Sequence, residues 1–84
     1  MKNNEIIGYS RFKSKSGNEV MFVDVAKVPT ENDKKWGRVG MKVEQVWIPS
    51  TCFDKFSPAV EGKVLKATYE ISNGRANVID VAFA

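Results

Sequence analysis

Close to its end the chain carries one Asn-Gly pair, Asn73-Gly74, between two segments that alternate apolar and polar residues, Gly62 to Ser72 and Arg75 to Ala84. A type I′ turn needs positive φ at both central residues, and Asn-Gly meets that demand at least cost. The pair between alternating runs therefore predicts a β-hairpin. In this hairpin Leu65, Ala67, Tyr69 and Ile71 form one apolar row and Ile79, Val81 and Phe83 another, with Lys66, Thr68 and Glu70 facing solvent. A hairpin here leads to the expectation that the fold acts through a small sheet and its loops.

The preceding residues read the same way. Glu5 to Lys13 is a first strand, closed by the turn-forming Ser14-Lys15-Ser16-Gly17-Asn18. Glu19 to Val28 is a second: Met21, Val23 and Val25 make an unbroken apolar row, which turns Phe22, Asp24 and Ala26 to the other, polar face. Pro29 ends it, and Thr30 to Arg38 is too polar for a core, so it reads as a long hairpin loop. A third strand spans Val39 to Ile48, where the apolar phase moves from Met41 and Val43 to Val46 and Ile48. A β-bulge at Glu44-Gln45 would account for that shift and leaves the direction of Trp47 open. Pro49 to Val60, with Cys52, Phe53 and Phe56, has neither period and is expected to plug one end of the fold as an irregular or single-turn segment. Tyr9 and Phe12 have opposite parity, so one of them belongs to the core, as does Tyr69.

The expectation is an all-β fold, a small five-stranded antiparallel barrel forming one domain over residues 1–84. Eighty-four residues bury a thin core, about 60 % of the unfolded surface, which argues against a deep substrate cavity. With no His and one Cys, a Ser-His-Asp or Cys-His triad and a Cys/His zinc site are impossible within one chain. The six glycines never assemble into a phosphate-cradling motif. No catalytic residues, cofactor or metal are expected. The lone Cys52 cannot form an internal disulfide, and the first residues lack the apolar run of a signal peptide. A reducing cytoplasm and no membrane association are the expected setting.

Thirteen Lys and Arg against ten Asp and Glu give a net charge of +3, a balance that favours an anionic partner. Basic and aromatic residues interleave twice, in Tyr9-Ser10-Arg11-Phe12-Lys13-Ser14-Lys15 and in Lys34-Lys35-Trp36-Gly37-Arg38. Single-stranded nucleic acid is gripped by cations along the phosphates and flat rings under unstacked bases, each stacked base contributing about 1–3 kcal/mol. Arg11, Lys13, Lys15, Lys34, Lys35, Arg38 and Lys42 are the candidate phosphate contacts, and Phe22, Trp36 and Trp47 the candidate stacking rings. The loop around Trp36 is expected to act as a finger closing over the bound strand. Trp and Arg also dominate protein hot spots, so a module that docks on a host protein through the Trp36 loop is the competing reading.

In the order and spacing of its motifs the chain resembles the gene V type single-stranded DNA-binding proteins of filamentous phages. The likeness runs through the Ser14-Lys15-Ser16-Gly17-Asn18 loop, the large apolar Phe22, the Gly62-Lys63-Val64-Leu65 strand opening and the Asn73-Gly74-Arg75 turn. It implies a five-stranded OB-type barrel, a homodimer, and sequence-independent coating of single-stranded DNA in replication, with RNA as a variant ligand. It also implies that Lys15 contacts phosphate and Phe22 stacks. The chain departs from the pattern at Val20, where a tyrosine is usual, and in its tight Ser72 to Arg75 turn.

Overall fold

A computed structural model describes residues 2–84. Strands β1 (Ile6–Lys13), β2 (Glu19–Lys27) and β3 (Lys42–Ile48) form an antiparallel sheet in that order, and β4 (Leu65–Ser72) pairs with β5 (Arg75–Phe83) in a second. The fold is thus mostly β, with the five strands expected. Between β4 and β5, Asn73 and Gly74 take φ of 52° and 74°, the positive pair that a primed turn requires. Gly17 supplies the left-handed residue, φ 87°, between β1 and β2, where the Ser14 N–H donates to the Asn18 carbonyl at 2.8 Å. The sheets meet where Glu5 bridges Val64 and the Ile6 N–H donates to Lys63 at 2.8 Å. Among the described residues no ladder joins β3 to β5, so the two sheets leave a seam along that side.

Met21, Val23 and Val25 lie at the centre of the core, none more than 1 % exposed, as their alternation requires. Ile6, Ile48, Leu65, Val78 and Val81 close on them, and two 3₁₀ turns, Ser50–Lys55 and Pro58–Val60, bring Cys52, Phe53 and Val60 over the same cluster. Each fully buried Ile, Val or Met here stabilises the fold by about 1.5–3 kcal/mol. Phe56 packs edge-on against Phe83 (5.1 Å between centroids) and tilted against Tyr9 (5.5 Å), so Tyr9 is the core member of the Tyr9/Phe12 pair.

Four expectations are corrected. First, β2 and β3 pair without a break from Met21↔Ile48 to Lys27↔Lys42, so there is no bulge at Glu44-Gln45. The apparent phase change arises because Val43 and Trp47 share the outward face while Val46 and Ile48 point in; the strand begins at Lys42, and Val39 stands exposed before it. The bulges lie elsewhere, at Ile7 in β1 and Ile79 in β5. Second, the bulge at Ile79 resets the phase of β5, so Val78 is buried in its place and Ile79 is exposed. Tyr69 and Ile71 reach past the core and are exposed too, contrary to the expected inward row. Third, Ala26 is buried despite its parity, at the end of β2 where Asn4 and Glu5 bond to its backbone. Fourth, the polar loop contains a helical turn, α1 (Glu31–Lys35). Thr30 and Asp33 form a reciprocal capping box that satisfies its first N–H groups.

No helix among the described residues is long and apolar enough to cross a membrane.

Candidate nucleic-acid interface

Residues directly opposite in an antiparallel pair point to the same side. Phe22 on β2 therefore shares a face with Ser10 on β1 and Trp47 on β3, and Phe12, opposite Val20, stands one step along. This face is the reverse of the Met21, Val23, Val25 row. It carries Phe22 half-buried, with Phe12 and Trp47 about half exposed, and the Phe12 and Phe22 rings stack at 6.2 Å with planes 23° apart. Three side chains from three strands thus place aromatic rings on one solvent-facing side of the sheet, a platform with the buried core behind it. The unbroken β2–β3 register fixes the direction of Trp47.

Phe12 was not among the stacking rings expected from sequence. The five-residue turn, Ser14 to Asn18, was the available signal: it sets Lys13 opposite Glu19, and counting back from there puts Phe12 on the Phe22 side.

Along the face from this platform come Gly8, Asp24 and Gln45 in one cross-strand row, then Val43. Trp47 and Val43 are four steps apart along the strand, about 13 Å. Beyond Val43, Trp36 (87 % exposed) lines an open concavity of about 430 Å³ with Asp33, Gly37, Arg38, Lys42 and Val43. Aromatic groups therefore occur at both ends of one face, Trp36 at the loop end and Phe12, Phe22 and Trp47 at the other.

The expected cations divide into two sets. Lys13 and Lys15 are exposed at the Phe12 end, and Lys35 is exposed on α1; none of the three forms an ion pair among the described residues. Lys13, opposite Glu19, shares the parity of Arg11 and stands on the reverse side from Phe12; Arg11 differs from it in being engaged. Arg11 projects from the core side of β1, opposite Met21, with its guanidinium 4.9 Å from the centre of the Phe53 ring and Nη2 2.5 Å from Glu19. Lys42 lies 3.1 Å from Asp33, Lys34 lies 3.6 Å from Glu31, and the Arg38 guanidinium donates to the Met41 carbonyl. These three hold the loop together as well as facing solvent.

Asp33 ties that loop to the sheet. Its carboxylate accepts from the Thr30 N–H at 2.8 Å, from Lys42 and from the Thr30 hydroxyl, and these bonds, the Thr30 N–H foremost, hold its pKa below the usual carboxylate value. A second tie joins the first 3₁₀ turn to β5, where Lys55 donates to Asp80 at 2.5 Å. That bond lowers the Asp80 pKa and raises that of Lys55. Among the described residues no group of three or more His, Cys, Asp or Glu is arranged to hold a metal ion. Compared with known proteins, the chain matches no family model, no curated protein and no solved structure.

Proposed function

We propose that the protein is a non-enzymatic, sequence-independent single-stranded DNA-binding protein, phage- or plasmid-encoded and acting in replication, whose strands form an OB-type barrel when β3 approaches β5. The observation that carries this reading is the platform of Phe12, Phe22 and Trp47. Exposed rings on one sheet face, backed by a packed core, with Lys15 in the adjoining turn and Lys13 at the same end of the edge strand, are what unstacked bases and their phosphates require. Lys35 and Arg38 extend the cationic track past Val43, and Trp36 adds a ring there.

A homodimer is part of the proposal. Tyr69, Ile71 and Ile79 are 55, 78 and 47 % exposed on a hairpin that runs past the core. Apolar surface of this kind in so small a domain is stabilised by burial against a second copy.

The second reading, a module that docks on a host protein, has one observation in its favour: Trp36 is almost fully exposed while Lys34 and Arg38 beside it are engaged within the loop. Intrinsic fluorescence separates the two. In Trp36→Phe, Trp47 alone reports, and stacking on oligo(dT) should quench it at low salt, with affinity falling steeply as salt rises. Oligo(rU) and duplex DNA in parallel give the ligand preference. No quenching by any nucleic acid at low salt would overturn the proposal and leave the docking module.

A further inference from the structure

The platform and the Trp36 loop are separated by a row that is neither apolar nor basic. Gly8, Asp24 and Gln45 stand directly opposite one another across the three strands, on the same face as Phe22 and Trp47. Asp24 is half-buried, and its carboxylate takes part in no side-chain hydrogen bond or ion pair among the described residues. On its β1 side Gly8 contributes no side chain, and a Cβ built there would meet nothing within 4 Å, so the surface beside Asp24 is open. On its β3 side is the exposed amide of Gln45.

A free carboxylate in the middle of a cationic track repels phosphate, so the strand must cross this row with a base, not a phosphate, above Asp24. An ionised carboxylate only accepts hydrogen bonds, whereas a Gln amide both donates and accepts. Together they match a base whose pairing edge carries an exocyclic amino donor, as in cytosine and adenine, and in guanine with its N1–H beside it. Thymine and uracil have no amino group: their one donor, N3–H, lies between two carbonyl oxygens, one of which would face the carboxylate.

We infer that Asp24 and Gln45 form a base-edge subsite that makes single-strand binding selective for bases that carry an amino group over thymine and uracil. The inference rests on the nucleic-acid reading above and replaces its sequence independence with a modest base preference at this one row. Stacking on Phe22 and Trp47 holds any base; the Asp24 row then discriminates among the bases that the neighbouring rings have already splayed out.

The test compares oligo(dC) with oligo(dT), two pyrimidines of equal size, each about eight nucleotides long, within the range one small domain covers. The unmodified chain should bind oligo(dC) about three- to tenfold more tightly at a fixed salt concentration, the range for a partly solvated base-edge contact. Asp24→Asn is isosteric, and its amide can donate to the thymine oxygen. It should bind oligo(dT) more tightly than the parent and bring the two affinities within about twofold of each other. Gln45→Ala, at an exposed position, should reduce the preference in the same direction and serves where Asp24→Asn does not fold, which circular dichroism reads. Equal affinities in the parent chain, or a dC:dT ratio that survives in both variants, would overturn the subsite while leaving single-strand binding intact. Absence of binding to either oligonucleotide by the parent chain would overturn the subsite together with the nucleic-acid reading.

Discussion

Phe22 lies directly opposite Trp47 across the β2–β3 pair, on the face that looks away from Val23 and its 0 % exposure. One residue along β2 therefore separates a position that holds the fold together from one whose ring is offered to solvent.

Substitution at these two positions should separate binding from stability. Phe22→Ala removes a ring that contacts Phe12 but lies outside the buried cluster, so the protein should fold and its single-strand affinity fall by about 1–3 kcal/mol. Val23→Ala leaves the platform in place and opens a cavity, which should lower stability by roughly 1–3 kcal/mol. Fluorescence titration and thermal melting read the two effects. If Phe22→Ala lost stability with affinity per folded molecule unchanged, the assignment of the platform would be wrong.

Arg11 and Lys15 should behave as opposites despite equal charge. Arg11 is held over Phe53 and against Glu19, so Arg11→Ala should cost about 1 kcal/mol of stability, the scale of an exposed ion pair and a cation–π contact, with the salt dependence of binding unchanged. Lys15 is exposed in the β1–β2 turn at the Phe12 end. Lys15→Ala should leave the melting temperature alone and reduce the slope of log affinity against log salt by about 0.7, one phosphate contact. Equal salt slopes in Lys15→Ala and the parent would remove Lys15 from the phosphate track.

Much of this arrangement was legible in the sequence, because side-chain parity follows from covalent geometry. The Met21, Val23, Val25 row, the outward Phe22 and the Asn73-Gly74 turn needed only the period of two and the turn chemistry. Legibility failed where an extra residue changes the phase. The bulge at Ile79 exchanges it for Val78 in the core, and the adjacent apolar pair Val78-Ile79 does not by itself show which of the two turns inward. A bulge at Glu44-Gln45 follows only if Val43 is a core residue; Val43 stands outward with Trp47, and the strand stays regular. The setting of Arg11 is illegible for a different reason. Charge type gives no direction, and its partners Glu19 and Phe53 are set by pairing and by a 3₁₀ turn remote in sequence. Only the Thr30 to Asp33 capping box was a local signal left unused in the polar loop.

If the exposed hairpin is covered by a second copy, the chain should sediment as a dimer at tens of micromolar, roughly the range for a moderately stable interface. Ile71→Lys puts a charge on the most exposed apolar residue of the hairpin and should shift that equilibrium to monomer without unfolding the domain, since Ile71 lies outside the buried cluster. A monomer in the parent chain at these concentrations would contradict the homodimer.

The cations around Trp36 should divide by partner. Lys35 has no ion pair among the described residues, and Lys34 faces Glu31 at 3.6 Å, so changing both to Ala should lower the salt slope by about 0.7 for each lysine that contacts phosphate, and alike for every single-strand sequence. Trp36→Ala should reduce affinity with little change in slope, since stacking releases no counterions. Parental affinity at every salt concentration in both variants would make the loop a bystander to nucleic acid and favour docking on a protein.

Acid should release that loop from the sheet. Asp33 is held below the ordinary carboxylate value by the Thr30 N–H first and then by Lys42, so its folded-state pKa lies under its unfolded one. The stabilisation this carries is fully present above the unfolded value and is lost as pH falls through the folded one; Asp80, lowered chiefly by Lys55, acts in the same direction. Lys55, raised chiefly by Asp80, has the opposite sign: its share is complete below the unfolded lysine value and is lost as pH climbs through the raised one. Between these limits the ties are intact. Trp36 lines the concavity beside Asp33 and Lys42 and can report on the first of them. Its emission, read in a Trp47→Phe background, should stay constant from neutral pH down to the carboxylate range and then change as Asp33 protonates. In Asp33→Asn the capping acceptor and the partner of Lys42 are weakened at every pH, so the emission should already be altered at neutral pH and the acid transition should disappear. An acid transition of unchanged midpoint in Asp33→Asn would show that another group releases the loop.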